Sequence, residues 1–315
     1  LLKKLKQKVI ISIVIAGILY LAFTIYADFN QVINAFGKFN LLLLPLLLLL
    51  SFLNYFARFL KWDYYLSIVK VKMKKIDSLS TFMSGLIMSV TPAKLGEVLK
   101  SVLVKEITGE PISKTAPIIL AERITDFLSL LLIAIVGAFV FDYGGNITII
   151  VAAFFIILII IISNKKIALP IINFSERIRL IKKYIHNIHS AYESSYQLLK
   201  LKPLILMTII SLISWGFECL GYYLILVNFD VDFGLLWASF SYSFSTIIGA
   251  ISMLPGGLGL TEGSLTYFLM QKGIAADISV ATTFIVRAVT LWFAVLVGIV
   301  SLSFFQKRFG KIKIE

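Results

Sequence analysis

Six runs of apolar residues in this chain are each long enough to cross a lipid bilayer, which takes about 20 residues. They fall at roughly 9–27, 41–60, 116–141, 146–162, 203–228 and 278–305. Backbone amides inside hydrocarbon have no water to bond, so runs of this kind fold as helices that satisfy themselves. A soluble chain is about one-quarter charged, whereas these 315 residues are 15% charged and 59% hydrophobic. The expected fold class is therefore an all-α polytopic membrane protein, with 1–315 as a single membrane domain. Disorder and coiled coils are excluded by the same numbers. The lone Cys219 excludes an internal disulfide and a cysteine metal site.

Two more apolar stretches, 77–107 and 233–272, are interrupted in the middle. The first break reads Thr91-Pro92-Ala93-Lys94-Leu95-Gly96, the second Leu254-Pro255-Gly256-Gly257-Leu258-Gly259. A helix does not run through proline and paired glycines. Both stretches are expected as re-entrant hairpins, with a full span followed by a surface helix as the alternative.

Basic residues set the expected sidedness. Lys3, Lys4, Lys6 and Lys8 precede the first span, and Lys61, Lys70, Lys72, Lys74 and Lys75 follow the second. Eight lysines and arginines lie in the 163–202 loop, and Lys307, Arg308, Lys311 and Lys313 follow the last span. The opposite loops carry Asp28, Asp142, Asp230, Asp232 and Asp277, with only Lys38 and Lys272 as bases. Both termini are thus expected on the cytoplasmic side of a cell membrane. The net charge of +13 reads as a topology signal and an attraction to anionic headgroups, and no nucleic-acid partner is expected. The 163–202 loop carries an apolar stripe of Ile178, Ile181, Ile185, Ile188 and Tyr192, suited to lying on the membrane or packing on the body. His186, His189 and Glu193 in that loop sketch a metal site only weakly, and neither metal nor cofactor is expected.

The two breaks belong to a repeat. Both fit S-x-x-P-x-x-L-G, starting at Ser89 and Ser252; each is followed by an acid, Glu97 or Glu262, and then by an arginine inside the next span. Pro92 precedes Arg123 by 31 residues and Pro255 precedes Arg287 by 32. With the expected sidedness, the hairpin at 77–107 enters from the cytoplasm and that at 233–272 from outside. The chain then reads as two inverted repeats, 9–141 and 146–305, an architecture common in transporters; a duplication kept for packing is the alternative.

Charges inside spans are costly and face cavities or partners. Glu122, Arg123 and Asp126 share one arc of a helix. At 1.5 Å per residue Arg123 and Arg287 sit ~10 Å and ~13 Å in from opposite membrane faces. Guanidinium forks suit phosphate, and the freed N–H groups and glycines at Gly96, Gly256, Gly257 and Gly259 admit an anion close to the backbone. Glu97 and Glu262 neutralise the arginines or carry a coupling proton; the structural alternative pairs Glu97, Glu122 and Asp126 with Arg123, and Glu262 with Arg287. Glu218 lies in mid-span and needs a partner, either as a proton relay or as a structural pair. Arg58 is expected to snorkel at the end of its span, with a place at the mouth of the site as the alternative.

Arg58 with Lys61-Trp62, Pro92-x-x-x-Gly96-Glu97, Glu122-Arg123-x-x-Asp126, Pro255-Gly256-Gly257-Leu258-Gly259 with Glu262, and Arg287 together resemble the lysylphosphatidylglycerol synthase transmembrane region, a flippase-like domain. The resemblance covers nearly the whole chain. In two-domain members it implies a membrane part that moves a modified phospholipid to the outer leaflet, followed by a cytosolic synthase domain. This chain ends at Glu315 and is expected to carry the transport half alone. No P-loop, H-E-x-x-H helix or G-x-S-x-G elbow occurs, so no enzyme is expected. The expected function is movement of a phosphate-bearing lipid, phospholipid or polyprenyl phosphate, between leaflets by alternating access. The alternatives are a proton-coupled transporter of a small anion or ion, and a lipid-modifying enzyme using Glu97 or Glu262 as acid or base. The expected partners are anionic or phosphate-bearing membrane lipids; the sequence does not fix an oligomeric state.

Overall fold

The computed structural model describes residues 2–91, 96–141 and 185–310, with isolated positions between 149 and 170. Among the described residues every regular element is helical. In chain order the helices are α1 (Leu2–Tyr26), α2 (Phe29–Lys38), α3 (Leu44–Ile68), α4 (Lys75–Gly85), α5 (Leu99–Thr108) and α6 (Ile112–Phe141). Then come α7 (Ile185–Leu198), α8 (Leu201–Asn228), α9 (Gly234–Ile251), α10 (Leu260–Gln271), α11 (Ala276–Arg287) and α12 (Phe293–Phe309).

Five helical segments are long and apolar enough to cross a membrane: Leu41–Ile68, Ile112–Phe141, Leu201–Asn228, Gly234–Ile251 and Ala276–Phe309. Four of them coincide with expected spans and extend beyond the apolar runs by up to eight residues. The expected span 9–27 is met by α1, which bends by 97° into α2. Asp28 makes that corner: its φ is +66°, and its carboxylate accepts from Asn30 N and Gln31 N to cap α2. Of the expected span at 146–162, nine of the seventeen positions lie outside the described residues.

Both interrupted stretches break where proline and glycine predicted. In the first, α4 tightens into a 3-10 turn over Leu86–Val90, and the chain resumes at Gly96 and enters α5. Pro92 and the three residues after it lie outside the described residues. In the second, α9 ends at Ile251, a 3-10 turn covers Pro255–Gly257, and α10 follows. Gly256, Gly257 and Gly259 have φ of +60°, +68° and +85°, which explains the glycines. The two interrupted stretches differ in length. α9 has 18 residues and qualifies as a span by itself, which favours the full-span alternative for the second stretch; α4, with 11 residues, does not.

The helices pack in reciprocal pairs. α3 and α8 run antiparallel: Lys61 bonds Ser211, Asn54 bonds Ser214, a Cβ on Gly221 would touch Leu47 and Leu50, and Asn40 bonds Asn228. Asn54 and Ser214 each bond the other's backbone carbonyl, at 2.9 and 3.3 Å, across a separation of 160 residues. The same separation relates Val71 N→Leu66 O to Val231 N→Leu226 O, both 3.0 Å, in the turns that end the two helices. Lys70 and Asp230, also 160 apart in sequence, both adopt positive φ there. α4 packs along α12 through Ser80 and Ser301, and α9 packs along α6 through Phe240 and Gly137. Gly298 and Gly137 sit where a Cβ would collide with Ile87 and Phe240 respectively, so glycine sets the approach in both pairs.

Outside this bundle α7 packs against α6, with Tyr192 9% exposed. Tyr192 of the 163–202 stripe therefore packs on the body, with Ile188 half-buried. Ile178, Ile181 and the side chain of Ile185 lie outside the described residues. Lys165 bonds both carboxylate oxygens of Glu193, which raises the lysine's pKa.

Candidate functional site

The break between α4 and α5 brings Glu97 into the bundle, against α3 and α6. Thr91 shapes the turn: its hydroxyl donates to Met88 O at 2.6 Å and accepts from Gly96 N at 3.0 Å. A Cβ on Gly96 would lie 2.7 Å from that hydroxyl oxygen, so the position requires glycine. Glu97 is 2% exposed and accepts from Arg123 Nη2 through both oxygens, at 3.0 and 2.8 Å.

Around this pair lies a buried charge cluster. Lys61 Nζ is 2.5 Å from Asp126 Oδ1 and Lys100 Nζ is 2.5 Å from Glu122 Oε2. Lys100 also stands 3.6 Å from Glu97 Oε2 and over the rings of Trp62 and Phe82, 4.8 and 5.1 Å from their centroids. Arg58 reaches between the carboxylates, 3.9 Å from Asp126 Oδ2 and 4.0 Å from Glu97 Oε1. Four positive side chains, Arg58, Lys61, Lys100 and Arg123, thus face three negative ones, Glu97, Glu122 and Asp126. The helix positions explain why: Arg58 and Lys61 are one turn apart on α3, while Glu122, Arg123 and Asp126 occupy one turn and a half of α6.

Four polar atoms of the cluster are buried without a hydrogen-bond partner: Arg58 Nε, Arg123 Nε, Glu122 Oε1 and Asp126 Oδ2. The Arg123 side chain is 19% exposed, against 8% for Arg58 and 0–3% for the other members, so Arg123 is the cluster's most accessible cation.

The second half builds a smaller version. Arg287 Nε bonds Glu262 Oε1 at 2.6 Å, and its Nη2 bonds the carbonyl of Gly256 at 2.5 Å. Glu262 Oε2 accepts from Gly259 N at 2.8 Å, closing the N-terminus of α10. Tyr20 of α1 donates to Glu262 Oε1 at 3.3 Å and accepts from Trp292 Nε1 at 3.0 Å. One cation and one anion balance here. Just after Arg287 the helix widens into a π turn over Ala288–Trp292, a feature often found at functional sites, and Tyr55 donates to Thr290 O at 2.6 Å. The two breaks meet: a Cβ on Gly256 would stand 3.6 Å from Ser89 O and 3.1 Å from Leu291 Cδ2.

Several sequence expectations change. Arg58 does not snorkel; it is 7% exposed in the middle of the cluster, because α3 continues eight residues beyond the apolar run that ended at 60. Lys61, counted as a charge following the second span, is fully buried. Glu122 pairs with Lys100 rather than with Arg123, while Glu97 with Arg123 and Glu262 with Arg287 pair as the structural alternative expected. Glu218, 8% exposed, accepts a hydrogen bond from Tyr242 at 2.7 Å. Sequence reasoning did not single out Lys100, Tyr20 or Tyr242; the spacing of Lys100, three residues after Glu97, was the available signal.

Fold and site together define a multi-pass helical membrane protein with charged groups enclosed where two broken helices meet. The chain belongs to the lysylphosphatidylglycerol synthase TM region family, whose sequence model matches residues 9–298. It is 27% identical over 223 residues to a UPF0104 membrane protein of Methanocaldococcus jannaschii, which covers 71% of this chain and 95% of that protein. A UPF0104 membrane protein of Pyrococcus horikoshii is 22% identical over 321 residues, 93% of this chain and 96% of its own. Another, from Methanothermobacter thermautotrophicus, is 30% identical over 128 residues, 40% of this chain and 38% of its own.

Proposed function

We propose that this protein moves a phosphate-bearing lipid between leaflets, its headgroup passing through the charge cluster while its tails stay in the bilayer. The observation that carries this reading is the cation excess around Arg58 and Arg123. A buried excess of positive charge is costly, and the Nε–H groups of Arg58 and Arg123 have no acceptor even though Glu122 Oε1 and Asp126 Oδ2 lack donors nearby. A phosphate supplies both the charge and the acceptors.

Alternating access follows from an inverted repeat, 9–141 against 146–305. The reciprocal packing of α3 with α8, of α4 with α12 and of α9 with α6 supports that repeat. In this scheme Arg123 and Arg287 serve the two sides in turn, and the capped Arg287 with the accessible Arg123 corresponds to one of the two states. The distribution of basic residues supports placing both termini in the cytoplasm. The protein acts as a transporter rather than an enzyme, since Glu97 and Glu262 are both engaged by arginines and are not free to act as acid or base.

The test is reconstitution into vesicles with a phospholipid probe that reports its leaflet. Transport is expected in the wild type and its loss in Arg123→Ala and Arg287→Ala. Unchanged transport in both variants sinks the arginine assignment, and an inactive wild type sinks the lipid reading.

A further inference from the structure

We infer that the lipid's acyl chains leave the bundle beneath α1, a lateral door that Tyr20 latches to the Arg287–Glu262 pair. This rests on the proposed lipid reading and adds the route of the tails.

A small apolar cluster lies apart from the main core. Met88 and Val90 of the first break, Leu99 of α5, Leu258 and Leu291 beside the second break, and Ala16 of α1 pack together there. Both charged sites border it. Leu99 follows Glu97 by two residues, Leu258 precedes the Gly259 whose N–H bonds Glu262, and Leu291 stands one turn beyond Arg287. A lipid whose phosphate reaches either arginine therefore has apolar surroundings for its chains next to the headgroup. The cluster is closed, since all six of these side chains are buried. An interior packed to normal density takes in a chain only when one of its walls moves.

That wall is α1. From Ile10 to Tyr26 only Ser12 and Ala16 are buried, and most of the other residues are exposed. The residues that touch the body recur every few positions: Ala16 enters the cluster, Leu19 faces Gly259, Tyr20 reaches Glu262 and Phe23 faces Gly263. The other faces of α1 are turned to the bilayer, so on this side α1 separates the cluster from lipid. In a membrane no hydrophobic force presses two helices together, and a helix with so little contact is held by local packing and by its polar bonds. By contrast α2 is seated on α11, where Val32 packs with Val280 and Phe36 stacks on Phe284. The corner at Asp28, with its positive φ, is the pivot about which α1 swings while α2 stays.

The headgroup works the latch. Tyr20 donates to Glu262 Oε1 at 3.3 Å, and the same oxygen takes the 2.6 Å bond from Arg287 Nε. A phosphate that takes over the Arg287 guanidinium displaces Oε1 from it, and the acceptor of Tyr20 moves with the carboxylate. Tyr20 also accepts from Trp292 at the end of the π turn that follows Arg287, so a shift of that turn pulls on the same hydroxyl. Arrival of the headgroup thus loosens α1 when the tails need a way out.

The test pins α1 to the body. Phe23→Cys and Gly263→Cys are combined in the full chain with Cys219, the one native thiol, replaced by serine. A Cβ on Gly263 stands 3.7 Å from Phe23 Cζ, so loss of the ring leaves room for a short, reducible bis-thiosulfonate bridge. Transport is read in vesicles with phosphatidylglycerol carrying a leaflet-reporting label, and binding in detergent with glycerophosphoglycerol, the same headgroup without tails. Transport is expected to fall in proportion to the fraction bridged and to return on reduction, while glycerophosphoglycerol binding is unchanged. Transport that survives complete bridging overturns the inference and leaves the lipid reading standing. A bridge that abolishes glycerophosphoglycerol binding also overturns it, because the headgroup site rather than the tail route is then closed. A wild type that moves no lipid overturns both readings. If the double-cysteine variant does not fold or does not transport before bridging, spin labels at the exposed Leu21 of α1 and Ile213 of α8 decide. A second label-to-label distance must then appear on adding phosphatidylglycerol, and must appear without lipid in Tyr20→Phe, which removes the latch; one unchanged distance in both overturns the inference.

Discussion

Removing the charge of Lys61 while keeping its stem, as in Lys61→Met, isolates the structural part of the cluster. Lys61 Nζ donates to Asp126 Oδ1 at 2.5 Å, Ser211 Oγ at 2.7 Å, Thr125 Oγ1 at 3.1 Å and Glu122 O at 3.4 Å. Without it, Asp126 retains a bond from Ser211 at 3.0 Å and two guanidinium groups no nearer than 3.9 Å. Breaking one side of a buried pair costs about 3–5 kcal/mol, mostly through the charge left behind, a loss of roughly two to four decades in the folded-to-unfolded ratio. Asp126→Asn in the same chain removes that stranded charge and keeps the cluster's excess at one positive. The double variant is therefore expected within about 1–2 kcal/mol of the wild type. The assay is unfolding in mixed micelles of increasing denaturing detergent, run on wild type, both single variants and the double variant. A coupling energy below about 0.5 kcal/mol would refute the view that Lys61 and Asp126 brace α3, α6 and α8. A large coupling with transport retained in the double variant would separate this brace from the arginines that bind.

Gly298→Ala puts a Cβ on the backbone of Ile87; overpacking of about 1–3 kcal/mol is expected as a lower midpoint in the same unfolding assay, with the same direction for Gly137→Ala against Phe240. Arg123→Lys keeps the charge and can still bond Glu97, which takes both its bonds from Nη2, but loses the unbonded Nε–H, so lipid transport should fall at least about tenfold while the unfolding midpoint changes little. Asn54→Ala and Ser214→Ala break the two bonds at the helix crossing, each worth about 1 kcal/mol; in a double-mutant cycle their effects should be less than additive, because either change disturbs the same contact.

Much of this molecule could be read before its structure. Apolar length located four of the spans, because hydrocarbon leaves helices as the solution. Proline and glycine located both breaks, and the repeated S-x-x-P-x-x-L-G picked out Glu97, Glu262, Arg123 and Arg287, which the structure brings together in pairs. The second hairpin's α9 proved long enough to span alone, a difference that break position could not reveal. What hydropathy concealed was the fate of charges near span ends. Arg58, Lys61 and Lys100 look like interfacial bases in one dimension. They are buried because carboxylates from the turn before α5 and from α6 meet them inside the bundle, a pairing with no local periodicity. The open Nε groups and the bond from Tyr242 to Glu218 likewise depend on helices far apart in sequence.

The claim that the Arg58–Arg123 cluster receives a lipid phosphate is tested most directly by an experimental structure of the protein in a phospholipid bilayer disc. The account predicts headgroup density within hydrogen-bonding distance of Arg58 and Arg123, its tails leaving between helices into the bilayer. Phosphate density confined to the two membrane surfaces, with both arginines paired only to Glu97 and Asp126, would contradict it.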